Sequence, residues 1–154
     1  MAFIPPRVLC IDDDEDSRVM LVKLLGLELI QSTAVGTAAQ ALAAIKSERF
    51  DLYVTDVRLP DLDGFELCRR MRDIDPITPI LFFSGAAYAA DKKKGIDAGA
   101  NGYVVKPELD GLLSTIKQLV SNTDRPIAQE IASGRAARVP RLSPASLREP
   151  LYVG

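Results

Sequence analysis

The chain has 154 residues, 47% of them apolar and 26% charged, with a net charge of -2. That is enough apolar material for one real core, and it lacks the bulk positive charge that marks a nucleic-acid binder. No run approaches the roughly 18 apolar residues a membrane span needs, and residues 1–7 lack the basic-then-apolar order of a secretory signal, so a cytoplasmic protein is expected. Histidine is absent, which excludes imidazole metal ligands and histidine-based triads. The two cysteines, Cys10 and Cys68, sit in apolar surroundings and read as buried small hydrophobes, although composition alone leaves a disulfide open.

In chain order, residues 8–11 (Val-Leu-Cys-Ile) form an apolar run without polar alternation, as expected of a strand buried on both faces. The acids Asp12, Asp13, Asp14, Glu15 and Asp16 follow it, and a helix is expected over 16–27, ending near Gly26. Residues 29–34 are a weaker strand candidate. Thr37 can cap a helix over 38–47, where Ala41, Leu42 and Ile45 share a face. A second clear strand, 52–55, ends in Asp56. A helix over 63–72 gathers Leu67, Cys68 and Met71, and a strand at 80–83 ends in Ser84 and Gly85. Residues 87–98 make a poor helix, with Gly95 inside it and three lysines on it. A strand at 103–105 ends in Lys106 and Pro107, and a helix over 108–120 repeats Leu109, Leu112, Leu113, Ile116 and Leu119 at helical spacing. Five alternations of strand and helix predict a parallel sheet covered by helices on both faces.

Beyond about residue 121 the composition changes. Residues 122–154 contain Pro126, Pro140, Pro144 and Pro150 and few large apolar side chains, and they read as a mostly disordered tail. A short helix over 126–133, capped by Asp124 and stopped by Gly134, is the one element they suggest. Five arginines against Asp124, Glu130 and Glu149 make the tail +2, which leaves -4 for residues 1–121. Such a tail could lie across acidic surface, dock a partner through Leu142, Leu147, Leu151 and Tyr152, or stay solvated.

In an open parallel sheet, ligands bind beyond the carboxyl ends of the strands, where strand order reverses. The strands here end in Asp12 and Asp13, in Asp56, in Ser84 and in Lys106, so acids, a hydroxyl and a lysine converge on one rim. An acid cluster after a strand can simply cap the next helix; four such features at four strand ends point further. Crowded carboxylates need a cation, and with only oxygen donors in reach the natural one is Mg2+. A metal, a lysine and a hydroxyl suit phosphoryl transfer, and a carboxylate can be the nucleophile.

These segments resemble the receiver domain of bacterial response regulators, in outline the single-domain chemotaxis receiver. The resemblance covers residues 7–121 and rests on 8–14 (Val-Leu-Cys-Ile-Asp-Asp-Asp), the highly specific stretch 51–64 around Asp56, 83–85 (Phe-Ser-Gly) and 102–107 (Gly-Tyr-Val-Val-Lys-Pro). It implies a flavodoxin-like (βα)5 fold, a doubly wound α/β structure with a five-stranded parallel sheet in the order 2-1-3-4-5. It further implies that Asp56 is the phosphoacceptor, that Asp13 binds Mg2+ directly and Asp12 through water, and that Asp56 and the Arg58 backbone carbonyl are also ligands. Lys106 would pair with the phosphoryl oxygens, Ser84 would hydrogen-bond them, and Tyr103 would rotate inward behind Ser84. The peptide between Lys106 and Pro107 would be cis. The implied partners are a histidine kinase or phosphotransfer protein and a downstream protein target, with no nucleic acid, no membrane, and no turnover of a separate substrate.

Two positions depart from the family pattern. Glu108 stands where an aromatic is usual, and Arg58 puts a long cation two residues past the acceptor. Rival readings fare worse. A haloacid-dehalogenase-type phosphohydrolase needs a spacing that Asp12 to Asp16 does not provide, and a calcium loop fails at Ser17 and Lys23. A DNA-binding regulator would need a second folded domain, which the tail does not resemble. The serious alternative is a degenerate receiver acting as a phosphorylation-independent protein-interaction module; the intact acids, acceptor and lysine speak against it.

Overall fold

The computed structural model describes residues 3–122 and 150–153. Strand β1 (Arg7–Ile11) leads to helix α1 (Glu15–Leu27), then β2 (Gln31–Val35), α2 (Ala38–Ser47), β3 (Leu52–Thr55), α3 (Gly64–Ile74), β4 (Ile80–Ser84), α4 (Ala89–Asp97), β5 (Gly102–Val105), α5 (Leu109–Asn122) and a last strand β6 (Leu151–Val153). All strands pair in parallel, in the order β2-β1-β3-β4-β5-β6. The first five follow the expected flavodoxin-like order; the sixth was not expected and makes the sheet six-stranded rather than five-stranded.

The continuous apolar runs are explained by burial on both faces. Leu9 and Ile11 of β1 join Ala41, Ile45, Phe65, Leu67, Met71 and Tyr103 in one core, covered by α2, α3 and α4. Val8 and Cys10 join Leu21, Leu25, Leu112 and Ile116 in the other, covered by α1 and α5. Cys10 and Cys68 thus lie in opposite cores, with the sheet between them, and both are free thiols.

Local signals place most helix ends. Thr37 accepts from the Gln40 amide at the start of α2, and Asp63 accepts from Phe65 and Glu66 at the start of α3. The first helix ends at Leu27, next to Gly26 as expected. The left-handed residue that closes it is Leu29, with φ 59, while the Ile30 amide reaches back to Leu25. Ile30 is buried against Leu25, and that packing holds a leucine where glycine is usual.

At the far end of the expected tail, residues 151–153 pair with β5, and Leu151 and Val153 pack against the α1–α5 core. Three apolar or aromatic residues in strand register gain more by pairing with an edge than by staying in water. The expected helix over 126–133, and Leu142 and Leu147, lie outside the described residues.

Candidate functional site

The order β2-β1-β3 reverses direction between β1 and β3, so the carboxyl ends of those two strands form the crevice of the sheet. Asp12 and Asp13 leave β1 there, and Asp56 leaves β3. Their carboxylate oxygens come within 4.8 Å of one another. Asp12 is 2% exposed, while Asp13 is open to water.

Lys106 enters from the end of β5. Its ammonium donates to Asp12 Oδ2 at 2.7 Å and to Asp56 Oδ2 at 2.9 Å. Burial opposes the charge on this amine, but hydrogen bonds to Asp12 and Asp56 outweigh it and hold Lys106 above the ordinary lysine range. The second oxygen of Asp56 accepts from the Val57 amide at 2.6 Å, and the second oxygen of Asp12 accepts from the Asp14 amide at 3.0 Å. The Asp56 carboxylate is therefore held from both sides, by the Val57 amide and by Lys106.

The loop after Asp56 is shaped by its return past α3. A Cβ at Gly64 would lie 2.3 Å from the Asp56 carbonyl oxygen and 2.8 Å from Val57 Cα, so only glycine lets the helix start this close to Asp56. Across the loop, Asp61 accepts from the amides of Ala38 and Ala39, and these two bonds hold its carboxyl below the usual range. Asp61 thereby caps α2 and pins the loop after Asp56 to it. On the other side the Arg18 guanidinium donates to the Asp12 carbonyl at 2.8 Å. Neither residue was singled out from sequence. Asp61 could have been suspected from its place between Asp56 and Gly64; nothing local marks Arg18.

Ser84 ends β4 and is 2% exposed; its hydroxyl oxygen accepts from the Ala86 amide. Tyr103 is fully buried, and its hydroxyl donates to the Ala86 carbonyl at 2.6 Å, so the ring already stands inward. Burial, aided by the negative charge of Asp91, pushes its hydroxyl up to about 12. The Lys106–Pro107 peptide is cis. Of the two departures, Glu108 accepts from the Gly111 amide and so caps α5, whereas the Arg58 side chain is exposed.

Asp12, Asp13, Asp56 and Lys106 thus share one site, with Ser84 and Tyr103 linked through Ala86 beside it. Three hard-oxygen donors with no nitrogen or sulfur donor among them fit a Mg2+ ion.

The comparisons agree with this geometry. Residues 8–117 match the family model described as the response regulator receiver domain. The response regulator MprA of Mycolicibacterium vanbaalenii is 35% identical over 121 residues, 78% of this chain but 52% of that protein. A gliding motility regulatory protein of Myxococcus xanthus is 37% identical over 108 residues, 67% of this chain and 14% of that protein. The chain therefore spans about half the length of the first and a small part of the second. Among solved structures, the receiver domain of the Francisella response regulator 1452 superposes with a TM-score of 0.74 at 28% identity, covering 77% of this chain and 99% of that one. The chemotaxis response regulator CheY4 of Vibrio cholerae superposes at 0.71 and 29% identity, covering 75% and 99%. With Asp12, Asp13, Asp56 and Lys106 gathered at the switch point of the fold, and residues 8–117 matching that family's model, this chain belongs to the response regulator receiver domains of two-component signalling, whose general role is to accept a phosphoryl group.

Proposed function

We propose that Asp56 takes a phosphoryl group from the phosphohistidine of a histidine kinase or phosphotransfer protein, with Mg2+ beside it, and that the added charge alters a surface read by a downstream protein target. The observation that carries this reading is the placement of Asp56 itself: one oxygen on the Lys106 ammonium, the other on a backbone amide, and two further carboxylates within reach of a shared ion. In the transfer, a carboxylate oxygen of Asp56 bonds to phosphorus as the phosphorus–nitrogen bond of the donor breaks, and the imidazole leaves with the electron pair. Asp13 would hold the metal directly and Asp12 through water, with Asp56 and the Arg58 backbone carbonyl as further ligands. When bound, Mg2+ supplies neutralisation of charge on the transferring oxygens.

Lys106 offsets the negative charge of Asp12 and Asp56 beforehand and is positioned to pair with the phosphoryl oxygens afterwards. Ser84 would donate to the phosphoryl group. Because Ser84 and Tyr103 both bond Ala86, a pull on Ser84 bears on the Tyr103 ring and on the surface of α4, β5 and α5. Tyr103 stands inward from the start, so in this reading phosphorylation fixes an orientation that the unmodified chain already visits. The chain would act as a signalling acceptor and not as an enzyme that turns over a substrate. Residues 1–121 would carry the whole reaction, in the cytoplasm, the compartment that two free buried thiols suit.

Incubation with acetyl phosphate and Mg2+ tests this. One phosphoryl group should be gained and should map to Asp56, and Asp56→Asn should gain none. Label on another residue refutes the assignment. No label even with a competent kinase supports the phosphorylation-independent interaction module instead.

A further inference from the structure

Strand β5 would leave one edge of the sheet open, with a row of backbone donors and acceptors facing water. In this chain residues 151–153 fill it. The Leu151 amide donates to the Asn101 carbonyl at 2.9 Å, and the register then runs Gly102 with Leu151, Tyr103 with Tyr152 and Val104 with Val153.

The seat is shaped for this strand by two glycines. A Cβ at Gly111, in the first turn of α5, would lie 2.3 Å from Val153 Cγ1. A Cβ at Gly102 would lie 3.0 Å from the Leu151 carbonyl oxygen and 2.9 Å from Leu81 Cδ1. Alanine would serve the helix better at Gly111, so the glycine is explained by the side chains over it, Val153 foremost and Glu108, whose Cγ would lie 2.9 Å from such a Cβ. Leu151 and Val153 face the α1–α5 core. Tyr152 alternates to the other face and is 51% exposed, within electrostatic range of Lys93 on α4. The strand therefore lies along β5 with one face toward α5 and the other toward α4.

The hold is slight. β6 has three residues, with Leu151 and Val153 only half-buried, whereas every residue of β4 is buried. Residues 123–149 tether it, so it can leave its place without leaving the molecule.

We propose that the outer edge of β5, between α4 and α5, is a strand-accepting interface whose resident ligand is this chain's own Leu151–Val153. It recognises a short extended segment with aliphatic residues at alternate positions, laid parallel to β5, and a protein partner that enters by strand addition must first displace β6.

The test uses the full chain. Amide hydrogen exchange at Leu151 should be slowed roughly tenfold or more relative to the free segment. Gly111→Ala should restore fast exchange there while the amides of β1, β3 and β4 stay protected. Adding Val153→Ala, which removes the clashing Cγ1, should slow exchange again. Fast exchange at Leu151 in the unaltered chain, equal protection in Gly111→Ala, or no recovery in the double variant overturns the seat. Next, a labelled peptide of residues 149–154 is titrated against Val153→Asp, which frees the edge, and against the unaltered chain. Binding to Val153→Asp should be roughly tenfold or more the tighter. Equal binding to both overturns occupancy by β6, and no binding to Val153→Asp at millimolar peptide overturns strand acceptance.

Discussion

Replacing Gly95 with alanine tests how Tyr103 is held inward. A Cβ at Gly95 would lie 3.1 Å from Phe82 Cδ2 and 3.1 Å from Tyr103 Cδ2, so one ring must give by a few tenths of an ångström. Phe82 is hemmed in between Phe65 and Tyr103, with ring centroids 5.4 and 5.6 Å away, and has nowhere to go. Tyr103 is on β5, beside the edge strand, and is the ring that moves. Overpacking costs about 1–3 kcal/mol and the gain in helix propensity returns about 1. The net loss of up to about 2 kcal/mol lowers the melting temperature by up to about 10 °C in a domain of this size. The sharper readout is titration. Burial holds the Tyr103 hydroxyl at about 12; a ring turned outward loses that burial and its bond to Ala86, and its titration falls toward the usual value near 10. The sign for stability follows. The unfolded chain ionises this tyrosine first, so the unaltered protein loses stability as pH rises from about 10 to 12, and Gly95→Ala should show less of that loss. Ultraviolet titration of the four tyrosines, with Tyr103→Phe to identify the transition, measures it. If the highest transition stays near 12 in Gly95→Ala, Gly95 is not the seat of the ring and the reasoning fails.

Other outcomes follow from the same geometry. Asp13→Ala should abolish the Mg2+ dependence of phosphorylation and raise the melting temperature of the metal-free protein, by relieving repulsion within the acid cluster; an unchanged Mg2+ titration refutes its role as ligand. Asp75 is pushed up by burial but more than compensated by hydrogen bonds from Thr78, Tyr53 and Ile77, which hold its carboxyl at about 2. Its contribution is present above about pH 4 and is lost as pH falls toward 2, so acid unfolding of Asp75→Asn should be less steep over that window. Burial pushes Cys10 up to about 12 and Cys68 up to about 11. Neither thiol should react with a disulfide reagent at neutral pH until the chain is unfolded, and one fast-reacting thiol in the folded protein contradicts the core assignment. Cutting after Ser121 should leave Asp56 phosphorylation intact and remove only the small stabilisation from β6; an unfolded product would show that the receiver unit extends beyond residue 121.

Much of this molecule is legible without coordinates, and the reason is local. A strand buried on both faces must be apolar throughout, which is why 8–11, 52–55 and 80–83 stand out, and a helix must cap its first amides, which is why Thr37 and Asp63 mark their helices. Asp12, Asp13, Asp56, Ser84 and Lys106 can be placed on one rim because each stands at the end of a strand and parallel strands all end on the same side. The strand β2 is faint for the converse reason: it lies at an edge, its residues are half-exposed, and its sequence is correspondingly mixed.

What only the tertiary structure decides is what one segment does for another far away in sequence. Gly95 reads as a helix breaker, yet in place it is the floor beneath Phe82 and Tyr103; Gly111 reads as a weak helix position, yet it receives Val153. Asp61 and Arg18 carry no local signal of their roles, yet Asp61 caps α2 and Arg18 bonds the backbone of Asp12. Leu151 and Val153 look like part of a polar tail because three residues carry no periodicity, and only the open edge of β5 gives them a place. Periodicity, caps and strand ends are determined by a residue's immediate neighbours and so can be read in order along the chain; close contacts and edge pairing are determined by residues that meet only once the sheet has formed.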